Sequence, residues 1–293
     1  MADHTPTKAP VARLLLPRRS LASCIRAGFV RNTLDCGELP PGDRLNRYPA
    51  SMFSCITWTL EGELAMVEPP DPAGGVLAAG QALVNGLQSQ PTVTGSPGPV
   101  HFMGILFFPD ALHRLAGIDM ALLVDRMLPL EQVLDGDWQA MSARVVAAPD
   151  DDARMAVIED FLEPRWRAVR AAEQGALGQT GAAAADWLRS MAARAALAGL
   201  GRSARMAERR LREWAGLPMR TLRRIRRAEQ SFIEARDEVL KGKVSWSDIA
   251  ARGGYADQAH LSRESRQLSG LTPSELARLC LSDESYWMYR IWA

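Results

Sequence analysis

The sequence predicts an α+β protein in two parts: an N-terminal small β-barrel with helices, and a C-terminal all-α domain. Three observations predict it. The first half is punctuated by Pro and Gly between short apolar runs, the texture of strands and turns. The second half repeats apolar residues at helical spacing over long stretches. Charge divides along the same line: from Ala182 onward Lys and Arg outnumber Asp and Glu by 20 to 13, whereas Met1 to Gly181 has 15 against 21. A net +7 beside a net −6 is hidden in the whole-chain value of +1, and it is expected where one half binds a polyanion.

At 293 residues the chain has room for about two domains. Met1 to Pro10 reads as a loose polar leader with no signal peptide, and no apolar stretch reaches the roughly 18 residues of a membrane span, so a soluble cytoplasmic protein is expected. Strands are expected at Ser51 to Leu60 and Glu63 to Val67, paired as a hairpin around Glu61-Gly62, and at Val100 to Phe108. Pro69 to Gly80 and Gln90 to Pro99 read as loops. From Pro109 the pattern turns helical, with Asp110 capping Ala111 to Ala116, Asp119 starting Met120 to Met127, and an amphipathic helix over Asp151 to Val169 interrupted near Pro164. The glycine-bearing, nearly uncharged stretch from Ala171 to Ala182 reads as a linker between a domain of residues 1–170 and one of 183–293.

In the second half, Val244 to Leu276 reads as helix, glycine turn, helix and a Pro-started third helix. Ser247 is expected to cap the first, with Ile249 and Ala250 inward, and Gly253-Gly254 to supply the positive-φ turn. Asp257 caps the second helix, which turns Leu261 and Leu268 inward and leaves Gln258, His260, Arg263 and Arg266 outward. That outer face suits the DNA major groove, where Gln pairs with adenine and Arg with guanine. From spacing alone it fits an ordinary helical hairpin with a solvated charged face equally well.

The stretch Ile249-Ala250, Gly254-Tyr255-Ala256-Asp257-Gln258, His260-Leu261, Ser262-Arg263-Glu264 and Gly270-Leu271-Thr272-Pro273 closely resembles the second helix-turn-helix of the AraC/XylS family of bacterial transcription regulators. Ser265 departs from it where the family usually has Phe, so Trp246 or another side chain must fill the space, or this half is less stable. A weaker match to the family's first module lies at about 185 to 217. There Ser203 is an N-cap, Leu211 and Trp214 point inward, Gly216 ends the helix, and Ala207 replaces the usual Leu. The resemblance implies a C-terminal all-α domain of two helix-turn-helix modules joined by a long helix, here Met219 to Leu240. The resemblance assigns base readout to Arg205, Glu208 and Arg209 in the first module and to Gln258, Ala259, His260 and Arg263 in the second. Phosphate contact falls to Arg210, Arg220, Arg223, Arg224 and Arg266.

The first half resembles, more loosely, the cupin-like sensor domains of such regulators, through Gly104-Ile105-Leu106-Phe107-Phe108-Pro109, a helix around His113 to Leu115, and Leu128-Pro129-Leu130-Glu131. It implies a small-molecule effector, and Trp58, His101, Met103 and Phe107 are the pocket candidates; both faces of Val100 to Phe108 are apolar, so the inward face stays open. The helices at about 151 to 170 serve either a homodimer interface or plain core. An enzyme is not expected: His4, His101 and His113 have no metal-ligand spacing, and the four cysteines (Cys24, Cys36, Cys55, Cys280) form no cluster. No GxSxG elbow or phosphate loop is present, so no cofactor or metal is expected. The expected partners are double-stranded DNA, an effector and, for an activator, RNA polymerase. The alternatives are a cupin-fold enzyme or a non-sensing dimerisation module fused to a DNA-binding domain.

Overall fold

The computed structural model describes residues 8–69, 75–177 and 204–292. The N-terminal half is two antiparallel sheets enclosing one interior. Strands β1 (Val11–Leu15), β2 (Ile25–Asn32), β4 (Ser54–Glu61), β7 (Ala82–Asn85), β9 (His101–Phe107) and β10 (Met127–Pro129) form the larger, in the order β1-β2-β9-β4-β7-β10. The smaller holds β3 (Leu45–Tyr48), β5 (Glu63–Glu68), β6 (Val76–Ala78) and β8 (Thr92–Gly95), in the order β3-β8-β5-β6.

Both strands around Glu61-Gly62 exist, but they do not pair with each other. β4 pairs with β7 and β9, and β5 with β6 and β8, so the turn is a corner between sheets and not a hairpin. Gly62 takes φ +76°, and a Cβ there would lie 2.3 Å from the Pro99 carbonyl oxygen, so the corner requires glycine. The expected loops also contain strands, β6 in one and β8 in the other; runs of three and four residues are too short to show a period.

Both faces of the larger sheet are covered. On β4 and β9, Ile56, Trp58, Met103, Ile105 and Phe107 point to an outer layer of helices, while Cys55 and Leu106 alternate to the interior. That layer comprises α1 (Ala111–Ala116), α2 (Leu130–Val133), α3 (Gly136–Ala147) and α4 (Asp151–Leu177). The Trp58 indole donates to Ser142 Oγ of α3 at 2.8 Å, and Phe107 meets Trp138 edge-on. Helix α4 runs straight through Pro164: Ile158, Leu162 and Trp166 are buried in the core, and their packing outweighs the one backbone hydrogen bond that proline forgoes. The apolar stripe of α4 is therefore core. It continues to Leu177, so the first seven residues of the expected linker are helical and the remainder lies outside the described residues. Residues 120–123 are a short 3-10 turn, with Asp119 accepting from the Ala121 amide, and the chain beyond it is β10.

The C-terminal half is helical: α5 (Ala204–Ala215), α6 (Met219–Leu240), α7 (Trp246–Arg252), α8 (Gln258–Ser269), α9 (Pro273–Ser282) and α10 (Trp287–Trp292). Helix α6 is the expected connector, with Leu222, Ile225 and Ala235 buried. The two halves share a core. Leu211, Ala215, Leu217, Leu222 and Ile225 pack with N-terminal residues, and the Ala50 amide donates to the Leu268 carbonyl at 2.7 Å. Trp287 of α10 lies inside the sandwich, so residues 283–292 belong by packing to the N-terminal half as much as to the domain expected at 183–293. Among the described residues no helix is long and apolar enough to cross a membrane.

Candidate nucleic-acid interface and interior cavity

Helices α7 and α8 form the second module. Its cap is Ser245, whose side chain accepts from the Asp248 amide, and not Ser247, which meets the Ser245 hydroxyl at 3.0 Å. Only Gly254 of the glycine pair has positive φ (+70°); Gly253 is needed for space, because a Cβ would lie 2.4 Å from Ser231 Oγ. Asp257 accepts from the His260 amide at 2.6 Å and starts α8, and the Thr272–Glu275 capping box starts α9.

The connector fixes α8 through one buried ion pair. Arg227 reaches Glu264 with Nε at 3.2 Å and Nη2 at 2.8 and 2.7 Å, and its guanidinium lies 4.2 Å from the Tyr255 ring. With Leu261 and Leu268 inward, Gln258, Ala259, Arg263 and Arg266 are exposed on the opposite face. His260 is half-buried; its Nδ1 accepts from the Ala256 amide and its ring stands edge-on to Tyr255.

Helix α5 carries the candidates of the first module. Arg205, Glu208 and Arg209 are exposed, and Glu208 pairs with Arg212 at 3.1 Å; Ala207 is half-buried. Leu211 is buried as expected, whereas Trp214 is half-buried and lies against His113 of the N-terminal half at 6.2 Å. Gly216 ends the helix at φ +72°, close under the Met120 carbonyl. Ser203 and the segment before it lie outside the described residues. Of the phosphate candidates, Arg220 and Arg223 are exposed on the connector and Arg266 on α8, while Arg210 and Arg224 are half-buried.

Between the sheets, and open toward the helical half, lies a cavity of about 1100 Å³. Phe29, Cys55, Thr57, Leu64, Leu77 and Leu106 form its sandwich wall. The opposite wall comes from the helical half: Ile225, Glu229 and Phe232 of α6, and Leu261, Ser265 and Leu268 of α8. Ser265, standing where the resemblance expects Phe, donates to the Leu271 carbonyl at 2.8 Å, and it lines the cavity together with Trp246. Two polar groups mark the walls. Burial pushes the Glu229 carboxyl above its ordinary range, with Arg26 Nη2 3.8 Å away, and Asn85 Oδ1 is buried without a partner.

None of the four pocket candidates reaches this cavity. Trp58, Met103 and Phe107 point to the helix layer on the other face of the sheet, and His101 Nε2 meets Asp151 Oδ1 of α4 at 3.0 Å. Thr57 and Leu106, one position away from Trp58 and Phe107, line the interior instead, as does Cys55. A fully covered sheet makes both faces apolar, which removes the alternation that would identify the inward residues.

Residues 196–279 match the family model of a helix-turn-helix domain. No curated protein matches the sequence. Among solved structures, ToxT from Vibrio cholerae is 13% identical over 80% of this chain and 95% of that one, with TM-score 0.40. The unsaturated fatty acid-bound form of wild-type ToxT is 15% identical over 80% and 94%, with TM-score 0.37. The nickel(II) complex of the bacterial pirin YhhW from Escherichia coli covers 35% of this chain and 49% of its own, at 12% identity and TM-score 0.26. Overlap at this level decides neither site nor ligand. The match covers less than a third of the chain, and it makes the stretch from α5 to most of α9 a helix-turn-helix domain.

Proposed function

We propose that the protein is a one-component regulator that reads DNA with α5 and α8 and takes a small-molecule effector in the cavity between its halves. The observation that carries the effector reading is the shared wall. A ligand there would touch the sandwich through Leu64 and Leu106 and the DNA-binding half through Phe232 and Leu268, so its binding energy depends on how the halves sit together. The mainly apolar lining suits an apolar body, and Asn85 Oδ1 and Glu229 call for a hydrogen-bond donor on it. On this reading the N-terminal half senses and does not catalyse: His101, its strand histidine, is engaged by Asp151. Base contact by Arg205, Glu208, Arg209, Gln258, Ala259 and Arg263 belongs to the same proposal. So do phosphate contact by Arg220, Arg223 and Arg266, action in the cytoplasm, homodimer formation on paired operators, and contact with RNA polymerase if the protein activates.

Thermal unfolding against a panel of neutral, anionic and cationic apolar compounds tests it, followed by footprinting on the gene's own upstream DNA with each compound that stabilises. A compound that raises the midpoint and changes the footprint supports the reading. Stabilisation that survives Leu64→Trp with Leu106→Trp, which crowd the cavity from its sandwich wall, would place the ligand elsewhere.

A further inference from the structure

We propose that the segment from Asp283 to Trp292 is an intramolecular latch, which docks in the sandwich, holds the acidic N-terminal half against the DNA-binding half, and lowers affinity for DNA until it withdraws. The latch goes beyond the effector reading and requires only that the protein binds DNA. The segment lies outside the matched residues 196–279.

Two faces of the segment serve the two halves. Toward the DNA-binding half, Tyr286 and Tyr289 pack with Leu276, Cys280 and Phe232, so the segment stays with that half when it leaves the other. Toward the sandwich, Trp287 is fully buried. Its ring centroid lies 6.0 to 6.3 Å from those of Phe102, Phe29 and Tyr48, and its indole donates to Asn46 Oδ1 at 2.8 Å.

Charge complements the shape. Arg31, itself buried, reaches Glu284 at 2.6 Å across 253 positions of sequence and stacks over Trp287, while Arg26 lies over Trp292 at 4.9 Å. Arg31 Nη2 is buried without a partner, so even the docked state leaves this site short of one bond. A buried ion pair recovers little beyond its own desolvation, and one with an unmet donor recovers less. The ion pair therefore fixes geometry more than it adds stability, and the strength of docking rests on the buried Trp287 ring. Docking adds to the core that the halves already share in holding a half of net −6 beside one of net +7, which weakens the field that draws phosphate; release of the segment loosens that contact and restores part of the field.

The test uses the full chain and a random-sequence duplex of about four helical turns at low salt. Hydrogen exchange of residues 284–292 reports docking in the same samples. Trp287→Ala and Glu284→Ala should each free the segment and tighten DNA binding on the order of tenfold, with a steeper dependence on salt. Glu284→Ala opens no core cavity but strands the buried Arg31, so Glu284→Ala combined with Arg31→Leu decides the matter if a single variant fails to fold. Free exchange of the segment in the unaltered protein would overturn the latch, as would a freed segment with unchanged or weaker DNA binding. Failure of every form, the unaltered protein included, to bind duplex would instead remove the DNA-binding reading and the latch with it.

Discussion

Replacing Arg227 by Ala should destabilise the second module by about 3 kcal/mol. Glu264, 5% exposed in its side chain, takes three contacts from Arg227 at 2.7 to 3.2 Å, and the nearest ring nitrogen, His260 Nε2, stands at 4.0 Å. Stripping the partner from a buried carboxylate costs about 3 to 5 kcal/mol. Because Arg227 is itself 32% exposed, water enters the vacated space and the lower end applies. The lost guanidinium over Tyr255 adds about 0.5 to 1 kcal/mol. Urea unfolding measures the difference, with Arg223→Ala, on the exposed side of the same helix, as a control expected within about 0.5 kcal/mol. Adding Glu264→Gln to Arg227→Ala should recover part of the loss by removing the stranded charge. If Arg227→Ala cost no more than Arg223→Ala, the ion pair would not be what seats the recognition helix.

Three further outcomes are expected. Arg263→Ala should cost about 1 to 3 kcal/mol on the preferred operator and relax one base position, whereas Arg223→Ala should weaken all sequences alike; equal losses for Arg263→Ala on matched and mismatched DNA would end its base-reading role. Trp58→Phe, which breaks the bond to Ser142, should lower stability by about 1 to 2 kcal/mol in thermal unfolding yet leave effector binding intact, since Trp58 faces the helix layer. Burial alone would raise the Asp151 carboxyl, but hydrogen bonds and charge from His101 and Arg154 hold it at about 2, below the ordinary 3.8. Its stabilisation is complete above about pH 4 and is lost as pH falls toward 2, worth about 1 kcal/mol after solvent screening; His101→Gln should flatten that loss in an acid titration.

The sequence was most legible where local chemistry decides structure. Asp257, Thr272 and the glycine turn mark the helix ends of the second module, and the connector's span follows from its apolar period. The Ser247 cap is one such position that fell two residues late, because Ser245 and Ser247 are interchangeable in pattern and only the Trp246 start separates them. Tertiary effects were hidden. Nothing in Glu61-Gly62 tells a hairpin from a corner, since the difference lies in Pro99 passing overhead. The pocket residues were displaced by one position for the same kind of reason: the helix layer over Trp58 and Phe107 comes from residues 80 or more positions, and 30 or more positions, away. Ser265 was the one readable trace of the cavity, a small residue where a ring is usual.

The placement of Trp287 also sets a clock for synthesis. Phe29 and Phe102 are made early, but the ring that packs between them comes nearly two hundred residues after the second. At roughly 5 to 20 residues per second, about 10 to 40 seconds pass in which the sandwich stands on the ribosome with its apolar interior unfilled. Contacts of such long separation form last and slowly. The nascent first half therefore depends on whatever shields that interior until Trp287 arrives, and slow translation of the second half lengthens its exposure.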